Sequence, residues 1–245
     1  MARKRRTTRL ASETYTAEIT DLSHDGRGIA HLDGKATFIH GALPGETVRF
    51  HYTKQQRHQD SGTTDDVLIA SPDRVNPGCA HYAICGGCSL QHLAPAAQIA
   101  AKQQQLMDNL RRIGKVSPQT WLAPLVDDST WGYRRKARLG VKYVQKKGRV
   151  LVGFRERGSG FIADLDHCPV LHPQVGTQLA GLAQMIQGLS IKEQIPQIEV
   201  VMDDTQCVLI FRILTPLSPA DRELLSAYGA PVSYTHLTLP TICSV

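Results

Sequence analysis

Apolar and polar positions alternate over short runs in the first third of the chain. Tyr15 to Thr20 alternates, Ile29 to Leu32 and Ala36 to Ile39 flank an Asp33-Gly34 hairpin signal, and Thr47 to Tyr52 and Asp66 to Ala70 follow. Ser23 to Gly28 is turn chemistry, and Gly41 to Glu46 is a Gly/Pro loop. Five short strands within residues 14–71 predict a small all-β barrel. The polar stretch Lys54 to Thr64 reads as an exposed loop between the last two strands.

Beyond Ser71-Pro72-Asp73-Arg74 and Asn76-Pro77-Gly78 the period changes. Pro95 to Ile113 is predicted as a helix closed by Gly114, with the apolar stripe Ile99, Leu106, Leu110 and Ile113. Residues 131–165 return to alternation and predict antiparallel strands with turns at Lys146-Lys147-Gly148 and Gly158-Ser159-Gly160. Val175 to Leu189 predicts a helix, Ile198 to Met202 and Cys207 to Ile213 a strand pair across Asp203-Asp204-Thr205. Ser218 caps a last helix with Pro219 at its first position, running to about Tyr228. From Val232 onward the uncharged tail PVSYTHLTLPTICSV loses this logic and is expected to be foreign to the fold.

Composition adds three bounds. With 245 residues and 42% apolar content, the chain can build one large core or two ordinary ones. No apolar run is long enough to span a bilayer, and the basic start has no secretory core, so a cytoplasmic protein without membrane contact is expected. No repeat, glycine-rich nucleotide loop or metalloprotease motif occurs.

The formal charge of +6 is uneven. Arg3, Lys4, Arg5, Arg6 and Arg9 contribute +5 from an arm expected to be disordered. A second island at residues 133–157 holds ten positive groups against Glu156 alone. Together they suggest a polyanion partner, against the plainer reading of a solvated hairpin with charged edges.

The cysteines carry the sharpest signal. Cys79, Cys85 and Cys88 lie within ten residues around Gly86-Gly87, and Cys168 follows as Cys168-Pro169. Disulfides suit a cytosolic chain poorly. A structural zinc usually draws on two paired knuckles, and only one C-x2-C is present. Three clustered thiolates plus one remote Cys-Pro suit an iron–sulfur cluster better, with zinc left open. His81, His92 and His167 are spare ligands or ordinary loop histidines. Cys207 reads as a small buried hydrophobe.

These residues resemble a known family. Ser71-Pro72-Asp73-Arg74-Val75, Pro77-x-Cys79, Cys85-Gly86-Gly87-Cys88-x2-Gln91-His92, Tyr133-Arg134-x-Lys136-Ala137-Arg138, Gly153-Phe154-Arg155 and Cys168-Pro169 are similar, in order, to the iron–sulfur RNA uracil-5-methyltransferases. Asp25-Gly26-x-Gly28 and Leu43-Pro44-Gly45-Glu46 resemble a TRAM domain, a small oligonucleotide-binding barrel. The resemblance covers residues 14–230 and implies a 4Fe-4S cluster on Cys79, Cys85, Cys88 and Cys168. It also implies 23S rRNA as partner, S-adenosylmethionine as methyl donor in the complete enzyme, and a monomer.

The family's chemistry is thiolate addition to carbon 6 of a flipped-out uracil, methyl transfer to carbon 5, and removal of the carbon-5 proton. That chemistry belongs to a Rossmann-like domain with no match in this chain. No catalytic or S-adenosylmethionine-binding residue is therefore assigned.

The expected architecture is a basic arm (1–13), an all-β TRAM barrel (14–72) and an α+β iron–sulfur RNA-binding domain (73–93 and 115–230). A helix at 94–114 is implied to pack on the absent catalytic domain, which would leave its stripe exposed, and a non-native tail occupies 231–245. Arg134, Lys136 and Arg138 are the expected RNA contacts. The leading function is a methyltransferase fragment that keeps RNA recognition and has lost catalysis. The rival is a stand-alone RNA-binding iron–sulfur or zinc module without enzyme activity.

Overall fold

The computed structural model describes residues 13–127 and 129–229, and the backbone alone of 234–238. The chain forms two compact units. One is the chain up to Pro77 together with Ser89–Leu125; the other is Gly78–Cys88 together with Val126 onward. Residues 73–77 and 89–93 thus belong with the barrel, while the cysteine loop between them is an excursion into the second unit. The basic arm lies outside the described residues.

The first unit is a six-stranded sheet of β1 (Tyr15–Glu18), β2 (Asp21–Leu22), β3 (Gly28–Leu32), β4 (Lys35–His40), β5 (Thr47–Gln55) and β6 (Gln59–Ile69). Their order is β1-β5-β6-β4-β3-β2. The two edge strands are consecutive pieces of one segment, joined by Ile19 and Thr20, so the sheet closes on itself and leaves no long open edge. Ile19, Ala30, Ile39, Val48 and Phe50 fill the interior.

The expected loop at 54–64 is instead mostly strand. β5 runs to Gln55 and β6 begins at Gln59, pairing antiparallel with β5 and parallel with β4. Its polar residues are neutralised in place: buried Asp60 takes Lys35 Nζ at 2.9 Å and the Gln56 amide at 2.9 Å. Gly62 lets the strand lie against Phe50, whose ring would sit 2.5 Å from any added Cβ. Polarity hid the strand, because its partners are ionic and backbone rather than apolar.

Glu46 locks the exit of the barrel. Its fully buried carboxylate accepts from the Leu43 amide (2.9 Å), the Ser71 amide (3.1 Å), and Arg74 Nε (2.5 Å) and Nη2 (2.7 Å). Arg74 Nη2 also donates to the Gly41 carbonyl at 2.6 Å. Burial pushes the Glu46 carboxyl up, but Arg74 and the two amides pull it further, so it lies below the usual carboxylate range.

α1 (Pro95–Asn109) starts with proline at its first turn and runs into a π-type turn at Leu110–Gly114. The left-handed residue that ends it is Lys115, with φ 54°, rather than Gly114. No residue of α1 is buried. Leu106 and, in the π turn, Ile113 are exposed, and Ile99 and Leu110 are half-buried, as the stripe reading expected. The apolar exposure continues through Val116, Leu122 and Leu125. Among the described residues no helix is long and apolar enough to cross a membrane.

The second unit is a mixed sheet of order β11-β10-β9-β7-β8, with β7 (Lys136–Val144), β8 (Arg149–Gly153), β9 (Gln197–Met202), β10 (Cys207–Arg212) and β11 (Tyr234–Thr238). All pairs are antiparallel except β10 with β11, so part of the tail set aside on composition is a parallel edge strand. The single helix expected at 175–189 is two: α2 (Pro173–Gly176) and α3 (Leu179–Gln187). α3 buries Leu179, Leu182 and Ile186 at helical spacing, and its Gln187 Oε1 accepts from the Val150 amide of β8 at 2.9 Å. α4 (Pro219–Gly229) is capped as expected, Ser218 Oγ accepting from the Asp221 amide at 3.2 Å.

Replacing Glu46 by Gln should cost about 2–3 kcal/mol, because buried amides and a guanidinium lose a charged acceptor. A folded pKa held below the unfolded one contributes stability above the unfolded pKa and loses it as pH falls through the folded one. Urea melts of the wild type should therefore weaken on acidification below about pH 4, and those of E46Q should lose that component of the pH dependence.

Candidate metal centre

Four thiols meet in the second unit. Cys79, Cys85 and Cys88 come from the loop Gly78–Cys88, and Cys168 from the segment before α2. Cys85 and Cys168 are buried, Cys79 and Cys88 half-buried, and none is in a disulfide. Burial pushes the Cys79 and Cys85 thiols up, and negative charge on Cys88 and Cys168 would push both further, as would Cys79 for Cys85 and Asp166 for Cys79. Backbone N–H groups of His81 and Gly87 partly offset it, the Gly87 amide lying 3.4 Å from Cys85 Sγ. Cys207 is the contrast. It is fully buried in β10, and burial alone holds its thiol at about 11.

The loop is built onto the second unit strand by strand. The Gly86 amide donates to the Arg155 carbonyl (2.9 Å), the Arg157 amide to the Ile84 carbonyl (2.8 Å), and Cys85 bridges Glu156 in antiparallel register. Gly87 packs on the Phe154 ring. Cys168 is placed by α2: its amide donates to the Gly176 carbonyl at 2.8 Å. A Cβ on Gly176 would lie 2.3 Å from the Cys168 carbonyl oxygen, so only glycine admits this approach. That requirement also explains why the predicted helix breaks here.

A second group flanks the thiols. Asp166 Oδ1 lies 2.5 Å from His81 Nε2 and 2.8 Å from His167 Nδ1, and the two rings meet edge-on at 5.3 Å. These imidazoles hold the Asp166 carboxyl down to about 2. The tie joins the cysteine loop to the Cys168 segment. In the sequence, His81 and His167 stand out only as spare ligands; Asp166 carries no signal beyond its position two residues before Cys168.

The basic island is largely spent inside its own unit. Arg134 is half-buried, lies over the Phe154 ring at 5.3 Å and donates to the Gly87 carbonyl at 3.3 Å. Arg135 pairs with Asp204 (2.9 Å), Arg138 with Glu199 (3.4 Å), and Lys147 and Arg149 share Asp164 (2.6 Å each). Arg157 turns inward to the cysteine loop. Lys136, Lys142 and Lys146 are exposed on β7 and its turn. Arg138, though paired, stays largely open to solvent. The three expected RNA contacts therefore divide: Lys136 and Arg138 face solvent, and Arg134 braces the loop.

A TRAM domain family model matches residues 9–58, which covers the barrel strands through β5. The chain is 54% identical over 220 residues to a Nitrosococcus oceani protein named 23S rRNA (uracil(1939)-C(5))-methyltransferase RlmD, spanning 90% of this chain and 49% of that protein. It is 50% identical over 229 residues to the Alkalilimnicola ehrlichii protein of the same name, spanning 94% of this chain and 51% of that one. The chain thus spans about half the length of these relatives. The solved structure of Pyrococcus abyssi tRNA (uracil-54, C5)-methyltransferase in complex with S-adenosyl-L-homocysteine matches with a TM-score of 0.59 at 20% identity. That match covers 85% of this chain and 48% of that chain, and shows the fold alone.

Thiol labelling at pH 8 should separate the two kinds of cysteine. In folded, metal-free protein Cys79 and Cys88 should be alkylated by iodoacetamide, while Cys207 should react only after denaturation. Peptide mapping reads the result, and labelling of Cys207 in the folded chain would contradict its placement.

Proposed function

We propose that this chain is the RNA-recognising, metal-carrying half of a 23S rRNA uracil-carbon-5 methyltransferase of the RlmD type. The observation that carries this reading is the gathering of Cys79, Cys85, Cys88 and Cys168 in one unit, beside a TRAM barrel in the same chain. The donor set suits a 4Fe-4S cluster: four thiols, low solvent access, and backbone N–H groups turned to sulfur. A single zinc remains the alternative for the same four thiols. When bound, the cluster supplies a covalent staple between the cysteine loop and the segment at Cys168.

Methyl transfer from S-adenosylmethionine would belong to the part of the relatives that this chain does not span. The exposed apolar surface of α1 and the residues after it supports a covering partner of that kind. Ile113, Leu122 and Leu125 are 78%, 82% and 102% exposed, which a self-sufficient module would not be expected to leave open. On this reading the half described here binds and orients rRNA, with Lys136 and Arg138 as phosphate contacts and Arg134 holding the loop behind them.

Two experiments test the proposal. Chain purified without oxygen should contain about four iron and four labile sulfide, and each of C79S, C85S, C88S and C168S should lose them while C207S keeps them. Zinc without sulfide would sink the cluster. In RNA-binding titrations, Lys136→Ala and Arg138→Ala should each weaken binding and lower the salt slope by about one; removing residues 3–9 should flatten it further and leave appreciable binding. An unchanged slope in both surface variants would remove them from the interface.

A further inference from the structure

We propose that Arg157 is a positioning residue for the metal centre, gripping the cysteine loop so that its thiols converge; this rests on the cluster reading above. Its Nη2 lies within donor range of three loop carbonyls, Tyr82 (3.1 Å), Cys85 (3.2 Å) and Cys88 (2.8 Å), and shares its two hydrogens among them. Its guanidinium carbon lies 4.9 Å from the centre of the Tyr82 ring. Its own backbone amide holds the Ile84 carbonyl at 2.8 Å. One residue thus touches the loop through its main chain and its side chain, and two of the three carbonyls belong to cysteines of the site.

The arrangement has a physical purpose. A loop that turns tightly through Cys85-Gly86-Gly87-Cys88 has carbonyls that no strand partner satisfies, and partly buried carbonyls need donors. A guanidinium meets this need with planar, fixed N–H groups and also stacks on an aromatic ring. It adds a permanent positive charge beside the cysteine loop. A lysine would keep the charge but would lose the planar stack on Tyr82 that fixes where the donor nitrogen sits. Arg155, two residues earlier, makes the useful contrast. Its guanidinium is exposed and donates to Gly160, outside the cysteine loop, at 3.2 Å.

Placement and charge therefore have separable effects. The stacked, fixed donor sets how firmly the loop holds its metal, and the charge sets how readily the centre accepts an electron, since positive charge nearby favours the reduced, more negative state. The test uses the full chain made without oxygen, as wild type, R157K, R157Q and R155Q. Iron loss to a ferrous chelator is followed, together with the midpoint potential of the protein still loaded. Both Arg157 variants should lose iron about tenfold faster or more, with R155Q at the wild-type rate. The potential should fall in R157Q and hold in R157K.

Wild-type retention in R157K and R157Q would overturn the positioning role, and an unshifted potential in R157Q would overturn the charge role. Should R157Q fail to fold by circular dichroism, R157K alone still decides the first point. Wild type lacking iron and sulfide would overturn the cluster reading itself, an outcome visible before any variant is made.

Discussion

Four thiols from two distant segments sit buried or half-buried in one unit, and the second unit is arranged to hold both segments there. The loop at 79–88 and the residue at 168 are 80 positions apart at their nearest, so local sequence cannot bring them together. The sheet does. Residues 154–157 extend beyond β8 and pair with the loop on one side, while α2 stops at Gly176 to receive the Cys168 backbone on the other. Short stubs of bridging strand, a broken helix and two inward arginines make little sense as independent features. They share one result: the loop carrying Cys79, Cys85 and Cys88 and the distant segment carrying Cys168 are both fixed to the second unit's sheet and helices.

The barrel answers a different constraint, closure. Joining its two edge strands through Ile19 and Thr20 removes free backbone groups that would otherwise invite pairing with other chains. Closure leaves the outgoing chain to be fixed, and Glu46 does this by binding Ser71 and Arg74. The chain then leaves for the cysteine loop and returns: Arg74 bridges Leu93, and the Val75 amide meets the His92 carbonyl at 3.0 Å. Departure and return points are thus pinned together in the first unit.

Much of this was legible in the residues. Alternation located β3, β4, β5 and the β9–β10 pair, and Ser218-Pro219 located the start of α4. What stayed hidden has a common cause. β6 was masked because Asp60 is satisfied by an ion pair and an amide, which periodicity does not register. The break after α2 was masked because Gly176 is dictated by Cys168, a neighbour in space. The charge of residues 133–157 was plain, but charge has no direction in a sequence. Only the fold reveals that Arg134 and Arg157 point at carbonyls and that Arg135 and Arg149 meet acids.

This redirection of charge changes what the basic island means. A count of ten cations against one acid suggests a broad polyanion surface. Paired surface ions keep little free field, and inward guanidinium groups keep less. What remains outward is narrower: Lys136, Lys142 and Lys146, with Arg138 still exposed beside Glu199. The inward arginines have left the surface for a structural task, meeting loop carbonyls that need donors, so the island's net charge overstates the field it presents to solvent.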